Sequence, residues 1–90
     1  MVKNKVTVTN PEGIHARPAS ILVKVAAGFK SDFFIHSHGY QINGKSILGV
    51  LTLAAECGAE LELELSGEDE VEAMEAIMTL FKNNFSQNGS

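Results

Sequence analysis

Two residues in the stretch GIHARPAS, residues 13–20, carry chemistry where the sequence otherwise calls for a plain helix start. His15 offers an imidazole and Arg17 a guanidinium, directly ahead of Pro18 and an apolar run. Helix starts usually take Ser, Thr, Asp or Asn as the cap. The positive end of the helix dipole disfavours cations. The pair therefore points to a negatively charged group arriving at this helix start, where unpaired first-turn N–H groups already form an anion site. The same dipole favours a neutral imidazole whose ring nitrogen can act as a nucleophile. Arg17 supplies a fork of donors matched to phosphate or carboxylate oxygens. Pro18 suits the first turn, where an N–H is dispensable. Together these residues suit a histidine that accepts a phosphoryl group while Arg17 and backbone donors hold its oxygens. On these residues alone, a surface loop histidine is an equally good reading.

The elements that must position the pair follow from hydrophobic periodicity. KVTVTN, residues 5–10, alternates Val6 and Val8 with Lys5 and Thr7, the pattern of a half-buried strand. Pro11 and Gly13 mark a loop. From Pro18, the residues Ala19, Leu22, Ala26 and Phe29 recur at helical spacing, and Gly28 suggests the end. SDFFIHS, residues 31–37, reads as a strand with Phe33 and Ile35 on one face, and Gly39 turns it into a short strand, YQIN. In KSILGVLTLAAE, residues 45–56, Ile47, Val50, Leu51 and Ala54 suit a short helix capped by Ser46, with a strand as the competing assignment. AELELELS, residues 59–66, points Leu61, Leu63 and Leu65 one way and Glu60, Glu62 and Glu64 the other. Residues 66–85 form an amphipathic helix pattern with Val71, Met74, Ile77, Met78, Phe81 and Phe85 on its apolar side. Acidic residues crowd its start and Lys82 lies near its end, which complements the dipole. The order strand, helix, strand, strand, helix, strand, helix describes a two-layer α+β domain: an antiparallel sheet with one open face and helices on the other. Residues 1–90 read as one domain whose tail frays from about residue 86.

Bulk properties narrow the function classes. A chain of 90 residues with 44% hydrophobic content is a foldable single domain. Its single cysteine, Cys57, excludes an internal disulfide, fits a reducing compartment and reads as a semi-buried spacer. No secretory apolar segment opens the chain and no apolar run approaches the ~20 residues of a membrane helix, so a soluble, cytoplasmic protein is expected. The net charge of -4 hides an asymmetry. Lys3, Lys5, Arg17, Lys24, Lys30 and Lys45 lie in the first half, whereas nine of the eleven acidic residues lie after residue 45. That pattern suits either a solvated acidic face or a mildly basic site meeting an acidic partner, and the overall acidity argues against nucleic acid. His36 and His38 share a face if both lie on a strand, but two ligands without a third make no closed metal site. They read as surface histidines, and neither a metal nor another cofactor is expected. Phe34 falls on the open face of the sheet, as a candidate contact residue.

GIHARPAS followed by NGKSILGVLTLAA, residues 43–55, resembles the HPr family, the histidine-containing phosphocarriers of the bacterial sugar phosphotransferase system. The resemblance runs from Val6 to about Phe85 and includes the order of elements and the spacing of the two motifs. It implies an open-faced sandwich with a four-stranded antiparallel sheet, order 1-4-2-3, and three helices on one face. It implies that His15 carries the phosphoryl group on Nδ1 and that Arg17, with the backbone of Ala16 and Arg17, stabilises it. Enzyme I, charged from phosphoenolpyruvate, is the implied donor, and IIA domains of sugar permeases are the implied acceptors. The protein is then a carrier with a covalent phosphohistidine rather than a conventional turnover enzyme. Its site should be shallow and exposed, flanked by the small residues Ala16, Ala19 and Ser20. Partner docking falls to Ser20, Lys24, Ile47, Leu48 and Leu51. Ser46 matches the serine that HPr kinase/phosphorylase modifies in many relatives, and it is equally a plain helix cap. The resemblance also implies a monomer that enters no membrane. Glu12 stands where a small polar residue is commoner, either weakening phosphate binding or pointing to solvent. Leu48 and Leu51 replace frequent methionines, and Gly44 precedes Lys45 as in some relatives. Two alternatives stay open: a nitrogen-type or regulatory paralogue acting mainly through protein binding, and a binding module without phosphoryl chemistry.

Overall fold

The computed structural model describes residues 1–53 and 55–86. Its elements are β1 (Val2–Thr7), α1 (Ala16–Ala27), β2 (Asp32–Ser37), β3 (Tyr40–Asn43), α2 (Ile47–Leu51), β4 (Glu60–Ser66) and α3 (Glu70–Lys82). The four strands form one antiparallel sheet in the order β1-β4-β2-β3, the order that the resemblance implied. The alternation in β4 works as expected: Leu61, Leu63 and Leu65 are buried while Glu60 is exposed and Glu62 and Glu64 are half-buried. Phe33 and Ile35 of β2 join the leucines. Against this face pack Ala19, Leu22 and Ala26 of α1, Val50 of α2, and Ala73, Met74, Ile77, Leu80 and Phe81 of α3. Burial of that apolar area is the main force holding the layers together.

The open face reshapes the charge asymmetry. β1 lies beside β4 in a register that sets Lys3 opposite Glu64 and Lys5 opposite Glu62. Two lysines of the basic first half therefore face glutamates of the acidic second half within the sheet. His36 is half-buried here, with its Nε2 2.9 Å from Glu64 Oε1. His38 is not on the strand at all. β2 ends at Ser37, and His38 sits in the turn with φ 51°, so the two histidines do not share a strand face. Phe34 lies on the open side but is half-buried, between Glu64 and Asn43 on the neighbouring strands.

Several other boundaries differ from expectation. α1 begins two residues before Pro18, whose missing N–H falls within the first turn and needs no intrahelical partner. Phe29 lies beyond the helix and is half-buried. The helical reading of residues 47–51 holds, with Ser46 as cap; Ala54, assigned to that helix, lies outside the described residues. Val71 is 55% exposed, and Phe85 is fully buried but outside α3. Cys57 is exposed rather than semi-buried. At the edge of the tail expected to fray, Ser86 is half-buried and donates its N–H to Asn83 O at 3.1 Å. The rest of that tail, residues 87–90, lies outside the described residues.

Candidate functional site

The loop ahead of α1 is held from below. Asn10, almost fully buried, donates its side-chain amide to Gly13 O, and Gly13 N–H returns a bond to Asn10 O at 3.0 Å. Gly13 takes φ +70°, and a Cβ there would lie 2.5 Å from Ala55 O, so the turn requires glycine. Ile14 is buried and its N–H donates to the same Ala55 O at 2.9 Å. One carbonyl thus anchors the residue before His15.

His15 is the N-cap of α1, with extended φ -94° and ψ -165°. Its carbonyl accepts the first helical bond, from Ala19 N–H at 2.9 Å, while its imidazole makes no capping bond and is exposed. The first turn of α1 holds no acidic side chain, so its N–H groups and dipole face outward without a carboxylate from the helix itself. Beside the imidazole lies a hollow of about 290 Å³ lined by Ile14, His15, Ala16, Leu51 and Glu56. Glu56 is a neighbour of His15 that the sequence reading did not single out; forty-one positions separate the two, and no local pattern links them.

Arg17 departs most from expectation. Its fork is not free. Nη2 lies 2.5 Å from Glu12 Oε2, and Nη1 donates to the carbonyl of Phe85 at 3.1 Å. Both side chains remain exposed, Arg17 by 57% and Glu12 by 41%. The hydrogen bond from Arg17, followed by one from the residue's own backbone N–H, holds the Glu12 carboxyl below the usual carboxylate range. Of the two fates foreseen for Glu12, the solvent-pointing one is replaced by this ion pair. The Phe85 carbonyl was also missed. It reaches Arg17 because Asn84 and Phe85 adopt left-handed φ values of 56° and 61°, which turn the chain back after α3. The Phe85 ring stacks edge-on against Phe81 at 4.9 Å between centroids.

The remaining expected residues spread over two adjacent helices. Ser20 and Lys24 are exposed along α1. Ile47, Leu48 and Leu51 of α2 are exposed by 37%, 74% and 39%, so these apolar side chains are surface and not core. Ser46 Oγ accepts from Gly49 N–H at 3.1 Å, a side-chain cap on α2. Lys45 ties the two helices: its Nζ donates to Phe29 O, just past the end of α1, at 2.7 Å. This bond links the start of α2, which carries the apolar patch, to the far end of the helix that His15 caps.

Comparison with known proteins agrees with this architecture. Residues 2–83 match the family model described as PTS HPr component phosphorylation site. The chain is 46% identical over 87 residues to the phosphocarrier protein HPr of Treponema pallidum, covering 97% of this chain and 99% of that protein. A crystal structure of HPr from Thermoanaerobacter tengcongensis superimposes with a TM-score of 0.92 at 33% identity, covering 94% of this chain and 96% of that one. The Crh protein of Bacillus subtilis, described as a domain-swapped dimer, superimposes with a TM-score of 0.75 at 40% identity, covering 97% of this chain and 100% of that one. This chain belongs to the HPr family, the phosphocarriers of the phosphotransferase system.

Proposed function

We propose that His15 is the residue that carries the phosphoryl group, accepting it from Enzyme I and passing it to IIA domains of sugar permeases. The observation that supports this most is the exposed imidazole at the N-cap of α1, with no capping bond of its own and with the first-turn N–H groups beside it. In the transfer, the bond between phosphorus and the donor atom breaks and leaves its electron pair on the donor. The lone pair of a His15 ring nitrogen forms the new N–P bond. The backbone of Ala16 and Arg17 and the Arg17 fork offset the charge on the phosphoryl oxygens. The cycle runs through the exposed surface, because two large partners must reach the same nitrogen in turn. Ser20 and Lys24 on α1 and Ile47, Leu48 and Leu51 on α2 form the docking face, and an acidic partner complements Arg17 and Lys24. Ser46 is the site at which an HPr kinase/phosphorylase would act. A phosphate there is compatible with the start of α2 and repels such a partner. The working form is a monomer in the cytoplasm. Among the described residues no helix is long and apolar enough to cross a membrane.

The test is intact mass spectrometry without acid after incubation with Enzyme I and phosphoenolpyruvate. One acid-labile phosphoryl group is expected on wild type and none on His15→Ala, whose fold should be unchanged because the imidazole is exposed. No addition in the presence of an active Enzyme I would overturn the carrier reading. A second reading, a nitrogen-type or regulatory paralogue, is favoured by the likeness to Crh. It predicts that phosphorylated His15 fails to charge any sugar-specific IIA domain.

A further inference from the structure

We infer that Glu12 is a built-in competitor for the anion site: its carboxylate occupies the Arg17 fork in the unphosphorylated chain and must leave before Arg17 can hold a phosphoryl group on His15. Glu12 thereby acts through Arg17 as a positioning residue. The inference rests on the reading of His15 as the phosphoryl carrier for its consequence, but not for the competition itself.

Three observations carry it. First, the contact is made by the group best suited to imitate the ligand. A carboxylate and a phosphoryl group present the same kind of oxygen pair to a guanidinium, and Glu12 Oε2 sits 2.5 Å from Arg17 Nη2. Second, α1 has no acidic residue in its own first turn, so this upstream carboxylate is the anion that accompanies Arg17 there. Third, Arg17 has a second anchor. The Phe85 carbonyl takes Nη1 at 3.1 Å, so departure of Glu12 frees one side of the fork without releasing the side chain. The Gly13 turn fixes the backbone between Glu12 and His15, so the carboxylate and the imidazole leave a chain whose course is set. The Glu12 carboxyl, held below its usual range by the Arg17 hydrogen bond, agrees with a carboxylate that is charged whenever the site is at work.

The consequence is a shift in transfer potential. In the unphosphorylated chain Arg17 is satisfied. In the phosphorylated chain the phosphoryl group must displace Glu12, so part of the gain from Arg17 is cancelled. The phosphoryl group is then held less firmly and passes on more readily. Because the pair is exposed, the effect is modest, on the order of two- to fivefold.

The test uses Glu12→Gln, Arg17→Ala and the double variant. Binding of inorganic phosphate to the unphosphorylated proteins is followed by NMR shifts of the residue 13–17 amides. Glu12→Gln should bind phosphate about two- to fivefold more tightly than wild type, and the gain should vanish when Arg17 is also replaced. The equilibrium between charged Enzyme I and each variant, read by intact mass, should move toward the phosphorylated chain by the same factor. Equal phosphate affinity in wild type and Glu12→Gln overturns the competition. So does a gain that survives without Arg17, because Glu12 would then act through its field alone. Should wild type accept no phosphoryl group at all, the carrier reading fails, while the phosphate titration still decides the competition.

Discussion

At Arg17 two demands meet. A phosphoryl site needs a guanidinium that is both positioned and available, and a long exposed side chain is rarely both. The structure holds Arg17 between a carbonyl and a carboxylate, so the side chain is ordered before any ligand arrives. Arg17→Ala should therefore slow phosphotransfer on the order of tenfold or more, with little change in melting temperature because the ion pair is exposed. Rapid-quench transfer from charged Enzyme I measures the first and thermal unfolding the second; equal rates would remove Arg17 from the site. Gly13 should behave in the opposite way. An alanine there meets both a left-handed φ and the Ala55 carbonyl at 2.5 Å. Gly13→Ala should cost about 2 kcal/mol or more, a fall of roughly 10 °C. A melting temperature within two or three degrees of wild type would show that the loop can relax. In the sequence His15 and Arg17 stand out as site candidates because neither is a usual helix-start residue, and Gly13 marks the loop ahead of them. The sequence does not display the partners of Arg17. Glu12 is near in sequence but its direction is set by the turn, and the Phe85 carbonyl arrives from sixty-eight positions away.

Among the elements, β4 and α3 show what periodicity can and cannot resolve. β4 was plain because strict alternation of Leu and Glu admits one register relative to a buried face. The buried stripe of α3 is Ala73, Met74, Ile77, Leu80 and Phe81. On a helical wheel Val71 lies about 120° from the centre of that stripe, and so it faces outward. Phe85 falls at the i+4 spacing from Phe81 that a continuing helix would use, and it is buried as that spacing suggests. It gets there by a different path, since α3 stops at Lys82 and the chain turns through two left-handed residues. Side-chain spacing records burial, and it does not record the backbone route. Phe85→Ala should cost about 3–5 kcal/mol through the cavity it leaves. It should also loosen the carbonyl that anchors Arg17, so transfer falls along with stability. Denaturant unfolding and phosphotransfer measured on one preparation would reveal that coupling. α2 is a short helix, five residues with one buried side chain. Its Ser46 cap satisfies the N–H of Gly49. Ser46→Ala should cost about 1 kcal/mol, measurable as a lower denaturation midpoint with an unchanged m-value.

In the molecule as a whole, carboxylates at the start of α3 tie separate stretches of the chain together, and this shapes its response to acid. Asp69 is the N-cap of α3, yet its carboxylate makes no capping bond. It turns instead to the segment between α1 and β2, accepting from Ser31 Oγ at 2.5 Å, Lys30 N–H at 2.8 Å and Ser31 N–H at 2.9 Å. Ser31 is fully buried, and the Asp69 carboxylate supplies the acceptor for its hydroxyl. The hydrogen bond from the Ser31 side chain, then that from the Lys30 backbone, hold the Asp69 carboxyl below its usual range. Glu70 is lowered as well, first by the Gly67 N–H at 3.1 Å. A carboxyl whose folded pKa lies below its unfolded value binds a proton more readily in the unfolded chain as the pH drops. Its contribution to stability is then complete above the unfolded pKa and is lost as the pH falls through the folded one. Denaturant midpoints should therefore stay level above about pH 5 and decline below about pH 4. Asp69→Asn should be less stable than wild type at neutral pH and show a shallower acid limb, so that the two curves converge as the pH falls. An acid limb of unchanged steepness in Asp69→Asn would assign the loss to other carboxylates. It would leave Asp69 as an acceptor that pins the α1–β2 connection to the start of α3 without setting the acid response.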